Sequence, residues 1–380
     1  MGVVGPIGTD DAALITPLMR EKPTTFRLEW APSTRDGTEM TTHFEQEILS
    51  QPGVLRARRD EGARQAAHVA RSWRDINYAL VGARGSSDNA AMFFQYLAGR
   101  ESGLVVALAT PSLYSEPSRL DLSGAGVLVI SQSGRSPGML EVVEHARRQG
   151  RPSAALTNDV SSPLGVASDV VVDMAAGPER AVASTKTFSA SWHALAQLVS
   201  AIKGADVEGL EELPDVVAEV VTWAMGAALP VEALDADRGL TVVGRGIGAA
   251  TASEVALKIR EVTGVRAESY AASDFAHGPV GADGVGATLL LIVTDEMTDE
   301  LCALTLEGSR RAGMSTVVLR PRSRRSVACD AEIVLDVDVA NWALGLAEAI
   351  VGQVLALRLG QRRGRSIDAS PGLSKITLGV

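Results

Sequence analysis

The chain is 380 residues long, 46% apolar and 22% charged, with a formal net charge of −10. That length exceeds one ordinary domain and the composition suits sizeable buried cores, so two globular domains are expected. The acidic balance excludes a broad nucleic-acid or anionic-membrane surface, which needs a basic face to neutralise phosphates; a local anion site built from helix N–H groups is compatible with it.

Residues 1–39 contain Pro6, Pro17, Pro23 and Pro32 among scattered charges and no sustained periodicity, so an irregular arm is expected before a core that begins near Met40. No basic n-region with an apolar h-region opens the chain, and cytoplasm is the expected location. From Asn77 onward apolar runs of strand length alternate with helical spacing: Tyr78–Ala83, Leu104–Leu108, Val127–Ser131, Ala154–Thr157 and Val170–Asp173, with Asp88–Arg100 and Pro137–Gln149 between them. The rhythm repeats at Leu240–Gly244, Val265–Ser269, Leu289–Thr294, Thr316–Arg320 and Ile333–Leu335. Short apolar strands alternating with helices predict βαβ units and parallel sheets. Scarce aromatics (4%) and abundant Ala, Val, Leu and Gly fit that class better than a β-sandwich. The two openings, Leu80-Val81-Gly82-Ala83-Arg84-Gly85 and Val242-Val243-Gly244-Arg245-Gly246, echo each other, and two similar units joined by helices around 185–228 are the simplest reading. The boundaries expected are 40–215 and 216–365, followed by a tail, 366–380. Ala340–Leu359, the most apolar stretch, carries Glu348 and Gln353 and reads as a packed core helix rather than a membrane span.

Two basic runs, Arg320–Arg325 and Arg362–Arg365, are short and lack interleaved aromatics, and are expected to be solvated surface or loop. Cys302 and Cys329 lie outside any metal-ligand spacing and support neither a disulfide framework nor a zinc cluster.

Chemistry concentrates in four segments. Gly82-Ala83-Arg84-Gly85-Ser86-Ser87-Asp88-Asn89 joins a strand to a helix whose N-terminal N–H groups can face an anion, although a Ser/Asp cap would read the same way. It is not a dinucleotide fingerprint, because G-x-G-x-x-G is absent and no acidic residue ends the second strand. Ser131-Gln132-Ser133-Gly134-Arg135-Ser136-Pro137 ends the third strand in a hydroxyl-dense turn. Ser131, Ser133 and Ser136 supply more donors than one cap requires, which favours binding of a phosphate monoester, and Pro137 fits a first helical turn. Val182-Ala183-Ser184-Thr185-Lys186-Thr187 precedes a helix and could close the same pocket or merely cap it. Finally, Lys258 and Glu261 on a helix precede Tyr270-Ala271-Ala272-Ser273-Asp274-Phe275-Ala276-His277-Gly278-Pro279. A carboxylate and an imidazole are the usual pair for moving protons on carbon and oxygen. The competing reading is a surface Lys–Glu salt bridge and a structural histidine. The other histidines, His43, His68, His145 and His193, sit in helical or surface-like contexts where structural roles are expected.

Taken together, these segments and the terminal Gly372-Leu373-Ser374-Lys375 resemble, in order and spacing, the tandem sugar isomerase (SIS) domain family. Within it they resemble the isomerase half of glucosamine-6-phosphate synthases and the stand-alone, second-type glucosamine-6-phosphate deaminases. The resemblance runs from about Met40 to Val380. It implies two tandem SIS domains, each a five-stranded parallel sheet flanked by helices in a flavodoxin-like, doubly wound α/β fold. It also implies a phosphosugar ligand held by Ser87, Ser131, Gln132, Ser133 and Ser136, with Val182 and Ser184 closing over the sugar. Glu261 would be the carbon acid/base, His277 the ring-opening imidazole reaching a neighbouring subunit, Lys375 the tail lysine near the open-chain carbonyl and Lys258 a further active-site lysine. No cofactor or metal is implied, and the partner expected is a second copy, in a homodimer.

Two departures favour deamination or isomerisation over synthesis. Gly2 rather than a catalytic cysteine follows Met1, and no cysteine precedes Cys302, so glutamine is not expected as nitrogen donor. Arg135 follows Gly134 where the synthases carry an acidic residue. Separately, Asp274 stands where relatives often carry glutamate, which keeps the charge with one methylene fewer. The function expected is conversion of glucosamine 6-phosphate, or a related amino-sugar phosphate, to fructose 6-phosphate and ammonia. The alternatives are a fructosamine-phosphate deglycase, another phosphosugar ketol-isomerase, or a non-catalytic phosphosugar sensor. A sensor of this class normally brings a helix-turn-helix, which the first forty residues cannot form.

Overall fold

A computed structural model describes residues 41–114, 119–236, 238–370, 372 and 375; the expected N-terminal arm and most of the tail beyond 370 lie outside them. The first half contains α1 (His43–Ser72), β1 (Tyr78–Gly82), α2 (Ser86–Ser102), β2 (Val105–Leu108), β3 (Ala125–Ile130), α3 (Met139–Arg148), β4 (Ser153–Thr157), α4 (Pro163–Ala167), β5 (Val170–Asp173) and α5 (Lys186–Lys203). After α6 (Leu213–Gly226) come β6 (Leu240–Gly244), α7 (Ile247–Thr263), β7 (Ala267–Ala271), the short helices α8 (Ala272–Ala276) and α9 (Pro279–Ala282), and β8 (Thr288–Ile292). The chain continues through α10 (Asp299–Arg311), β9 (Ser315–Pro321), β10 (Ala331–Leu335) and α11 (Asn341–Arg362).

The strands form two five-stranded sheets of the same topology, β2-β1-β3-β4-β5 and β10-β9-β8-β6-β7, and every pairing is parallel. Both faces of each sheet are covered, so the strands carry near-continuous apolar runs, as in β3, where all six residues are buried. The two faces nonetheless serve different cores, because alternate side chains point opposite ways. Val127 and Val129 pack outward beneath α3 with Met139 and Val142, whereas Leu128 and Ile130 face inward; Leu289 and Leu291 face outward, and Leu290 and Ile292 inward. The inward faces of both sheets share one continuous core with α1, α2, α5, α7 and α11. The molecule is therefore layered as outer helices, sheet, shared helices, sheet, outer helices.

Helix α5 shows why the two halves dock. Its residues from Lys186 to Ser200 are all buried, and Trp192 stacks on Phe93 of α2 (centroids 3.7 Å apart, 12° between planes) while donating to the Trp342 carbonyl at 3.1 Å. Such a helix, covered all round, cannot belong to one sheet's surface alone. Among the described residues, α11 is the one helix long and apolar enough to cross a membrane, and 94% of its apolar window is buried inside the protein. The expected boundary after residue 215 falls inside α6, so a division placed in the 204–212 connection keeps that helix whole.

One basic run departs from expectation. Arg320 lies on β9, is 8% exposed and pairs with Glu332 at 2.9 Å, because its strand position carries it into the sheet rather than onto a loop. Arg324 pairs with Asp299, and Arg362 and Arg363 with Glu232 and Asp235. Cys302 is buried and Cys329 half-buried, both as free thiols, and burial pushes Cys329 up to about 12.

Candidate active site

In the first sheet the order reverses between β1 and β3, so the loops that follow these strands part and leave a crevice at their carboxyl ends. Glycine shapes both lips. Gly85, at φ +61°, caps α2 without a side-chain hydrogen bond, and Gly138, at φ +79°, does the same for α3. Two helix N-termini with no side-chain cap thus flank one crevice, and their free N–H groups favour negative charge. The Arg84 guanidinium lies beside Gly138 and joins the two lips.

Between them runs the hydroxyl-rich turn. Ser131 is 3% exposed and its Oγ lies 3.1 Å from that of Ser136; the Gln132 carbonyl accepts from the Asn158 N–H at 3.0 Å. Ser133 Oγ accepts from the Arg135 N–H, and the Arg135 side chain turns away to Asp159 at 3.1 Å. Ser87 at the start of α2 and Ser184 before α5 are half-buried, with hydroxyls that no described residue engages. Val182 donates its N–H to the Asp368 carbonyl at 3.1 Å, so its contribution to a site lies in its carbonyl and side chain.

The second unit reaches this crevice through α7. Glu254, Lys258 and Glu261 fall on one stripe at helical spacing. Glu254 accepts from Ser86 Oγ at 3.0 Å and from Asn89 Nδ2 at 2.8 Å, which docks α7 on the start of α2. Lys258 stands between two carboxylates, 3.6 Å from Glu254 and ion-paired with Glu261. Its side chain is 1% exposed, which rules out a surface salt bridge, while that of Glu261 is 20% exposed and so stays partly open to solvent. Burial alone would pull the Lys258 ammonium down, but Glu261 and Glu254 hold it above its ordinary value. Glu254, without solvent, is pushed up by burial against the pull of Lys258.

A third group closes from the tail. Lys375 Nζ lies 2.7 Å from Glu179 Oε2 and 3.5 Å from the Val182 carbonyl, and Glu179 also acts electrostatically on Lys258. Glu47 on α1 holds the same loop by accepting from the Arg180 and Ala181 N–H groups. The structure thus links Val182, Lys375, Lys258 and Glu261 through Glu179, and sets Ser131 and Ser136 together on the turn between β3 and α3. His277 is different: it is exposed on the turn between α8 and α9, and no hydrogen bond or ion pair joins its ring to any described residue. Of the other histidines, His145 is buried and bonds the Leu120 carbonyl, and His193 is fully buried with its pKa lowered well below 6.5 by burial and the nearby Arg58 and Arg59.

Sequence reasoning missed Glu254, Glu179 and Glu47. Glu254 carried a usable signal, since it precedes Lys258 by four residues on the same helix face. Glu179 sits in an irregular segment and Glu47 on a helix of mixed polarity, and neither carried one.

Residues 74–201 match the SIS domain family. A solved structure from Silicibacter pomeroyi DSS-3, provisionally assigned as a phosphosugar isomerase, is 30% identical, covers 86% of this chain and 99% of its own, and superposes with a TM-score of 0.75. The glutamine–fructose-6-phosphate aminotransferase of Symbiobacterium thermophilum is 28% identical over 93% of this chain. A glucosamine-6-phosphate deaminase from Thermotoga maritima shares the fold at 20% identity, with a TM-score of 0.68 over 88% of this chain and 99% of its own. The chain spans between 46% and 62% of the length of the curated relatives it matches. With two sheets of one topology, the described crevice and these likenesses, the chain belongs to the SIS domain family, whose members include phosphosugar isomerases.

Proposed function

We propose that the chain is an aldose–ketose isomerase of amino-sugar phosphates that converts glucosamine 6-phosphate and water to fructose 6-phosphate and ammonia. The observation that carries this reading is the docking of α7 on the start of α2. Through Glu254 it sets the α7 stripe that carries Lys258 and the partly exposed Glu261 against the N-terminus of α2, which has no side-chain cap and which the Arg84–Gly138 contact ties to that of α3. An anchor for a phosphate and a base for a carbon acid then share one crevice, as a phosphosugar isomerase requires.

In this mechanism Ser131, Ser133, Ser136 and the Gln132 side chain hold the phosphate with the N–H groups of α2 and α3, and Ser87, Val182 and Ser184 line the sugar. His277 opens the ring by moving a proton between ring and anomeric oxygens. Being exposed and unengaged within its own chain, it is read as reaching the site of a second copy, so the working unit is a homodimer. Glu261 takes the C2 proton, giving an enolamine, and returns a proton at C1. The ketimine formed at C2 adds water and releases ammonia. Lys258 aims Glu261 through their ion pair, and Lys375 stabilises charge on the open-chain oxygen. The names of the relatives support an amino-sugar phosphate as substrate, and Arg135 in place of an acidic residue supports deamination.

The test is ammonia release without glutamine from glucosamine 6-phosphate, galactosamine 6-phosphate and a fructosamine phosphate in parallel. Ammonia and fructose 6-phosphate from the first are expected. Turnover of another member alone would move the substrate, and binding without turnover of any would make the chain a phosphosugar sensor.

A further inference from the structure

We propose that Glu179 is the positioning residue for Lys375: its buried carboxylate latches the tail amine over the loop that closes the sugar site. The inference rests on the functional reading above, which gives Lys375 its task.

Glu179 lies between β5 and α5 with a side chain 0% exposed, a place where a carboxylate persists only if every lone pair is answered. Its two oxygens divide the work. Oε1 accepts from the Thr185 and Thr187 N–H groups at 3.0 and 3.1 Å, capping α5, whose own cap residue Thr185 makes no side-chain cap bond. Oε2 accepts from Thr187 Oγ1 at 2.6 Å and from Lys375 Nζ at 2.7 Å. Burial pushes this carboxyl up, yet Lys375, the Thr187 hydroxyl and the Thr185 N–H hold it below its ordinary value, so it is ionised when the latch is made.

The tail is led to this point from elsewhere in the fold. Ile367 is 7% exposed, the Asp368 carboxylate accepts from the His43 and Phe44 N–H groups at 2.9 and 2.8 Å, and the Asp368 carbonyl accepts from Val182. Val182 is thus bracketed by the tail on both sides, its N–H on Asp368 and its carbonyl near Lys375. Anchoring at Asp368 sets the direction, and the ion pair with Glu179 sets where the amine stops.

Glutamine separates the two duties of Glu179. In Glu179→Gln the amide oxygen keeps both backbone caps, while the amide N–H group faces the Lys375 ammonium, donor against donor. Lys375→Met keeps the stem and removes the amine. The first readout is independent of turnover: trypsin cleavage after Lys375, followed as the mass loss of residues 376–380. A lysine held by a carboxylate cannot enter a protease pocket, so Glu179→Gln is expected to speed this cut roughly 10- to 100-fold, the range a charge-assisted hydrogen bond supplies. The second readout is turnover of the sugar phosphate by Glu179→Gln, Lys375→Met and the double variant. Each single change lowers kcat by a similar factor with KM kept, and the double variant is no slower than either. Unchanged cleavage in Glu179→Gln, or a double-variant loss equal to the product of the single losses, overturns the proposal. If the wild-type protein turns over no sugar phosphate, the functional reading fails, and the cleavage arm by itself decides whether Glu179 holds the tail.

Discussion

Gly134→Ala is the sharpest perturbation of the hydroxyl turn. Gly134 has φ +61°, and a Cβ added there would lie 1.9 Å from Ser162 Oγ, 2.5 Å from Ser162 Cβ and 3.1 Å from Thr157 Oγ1. The left-handed backbone costs an L-residue about 1–2 kcal/mol. Ser162 must also move, and it is the cap of α4, accepting from the Gly165 N–H at 3.2 Å. Losing that cap adds about 1 kcal/mol, for a total of about 2–3 kcal/mol. Because the strain falls between Ser133 and Ser136, it displaces the hydroxyls read as the phosphate anchor. The expected result is a lower melting temperature and a phosphosugar KM raised about tenfold or more, taking 1.4 kcal/mol per factor of ten. Glu261, on the other unit's helix, is untouched, so kcat changes little. Gly134→Ala with Ser162→Gly relieves the contact but not the backbone, and should recover part of the affinity. Melting and KM both at wild-type values in the single variant would refute the assignment of this turn.

Lys258→Met leaves Glu254 buried without its cation, and removing one partner of a buried pair costs about 3–5 kcal/mol. Denaturant unfolding checks it: much of the loss should return in Lys258→Met with Glu254→Gln, and no loss at all would refute the dependence of Glu254 on the Lys258 charge. Glu348 on α11 is 0% exposed, neither of its oxygens has a hydrogen-bond partner among the described residues, and burial beside Glu296 and Asp295 raises its pKa well above the ordinary 4.5. The folded chain keeps this proton while the unfolded chain releases it, so its contribution is intact below pH 4.5. It is then lost by about 1.4 kcal/mol per pH unit as pH climbs toward the folded value. Glu348→Gln should therefore gain stability relative to wild type between pH 5 and 8 in thermal melts, and parallel pH profiles would refute this.

The sheets were legible because strands buried on both faces must be apolar throughout, and runs such as Val127–Ile130 and Leu289–Ile292 cannot read as anything longer or more polar. The short helices α8 and α9 were not, since four or five residues carry no helical period. At the site, hydroxyl density exposed the turn at Ser131–Ser136, and the i, i+3 spacing exposed Lys258 and Glu261. What could not be read was that α2 covers the α7 stripe and turns a pair that looks solvated into a buried triad. Glu179 was invisible for a similar reason: its partner lies 196 residues away, and its own segment has no periodicity. Arg320 misled in the opposite direction, because a run of arginines reads as surface while one strand position within it meets Glu332 inside the fold.

The central claim is that Glu261 moves a proton from C2 of the bound sugar. Its most direct test follows glucosamine 6-phosphate carrying deuterium at C2 by NMR, with wild type and Glu261→Gln compared at saturating substrate. Wild type should cleave the C2–deuterium bond and yield fructose 6-phosphate, and Glu261→Gln should bind the sugar phosphate equally while cleaving that bound bond roughly 10²–10⁴-fold more slowly. Cleavage of that bond at the wild-type rate in Glu261→Gln would contradict the account.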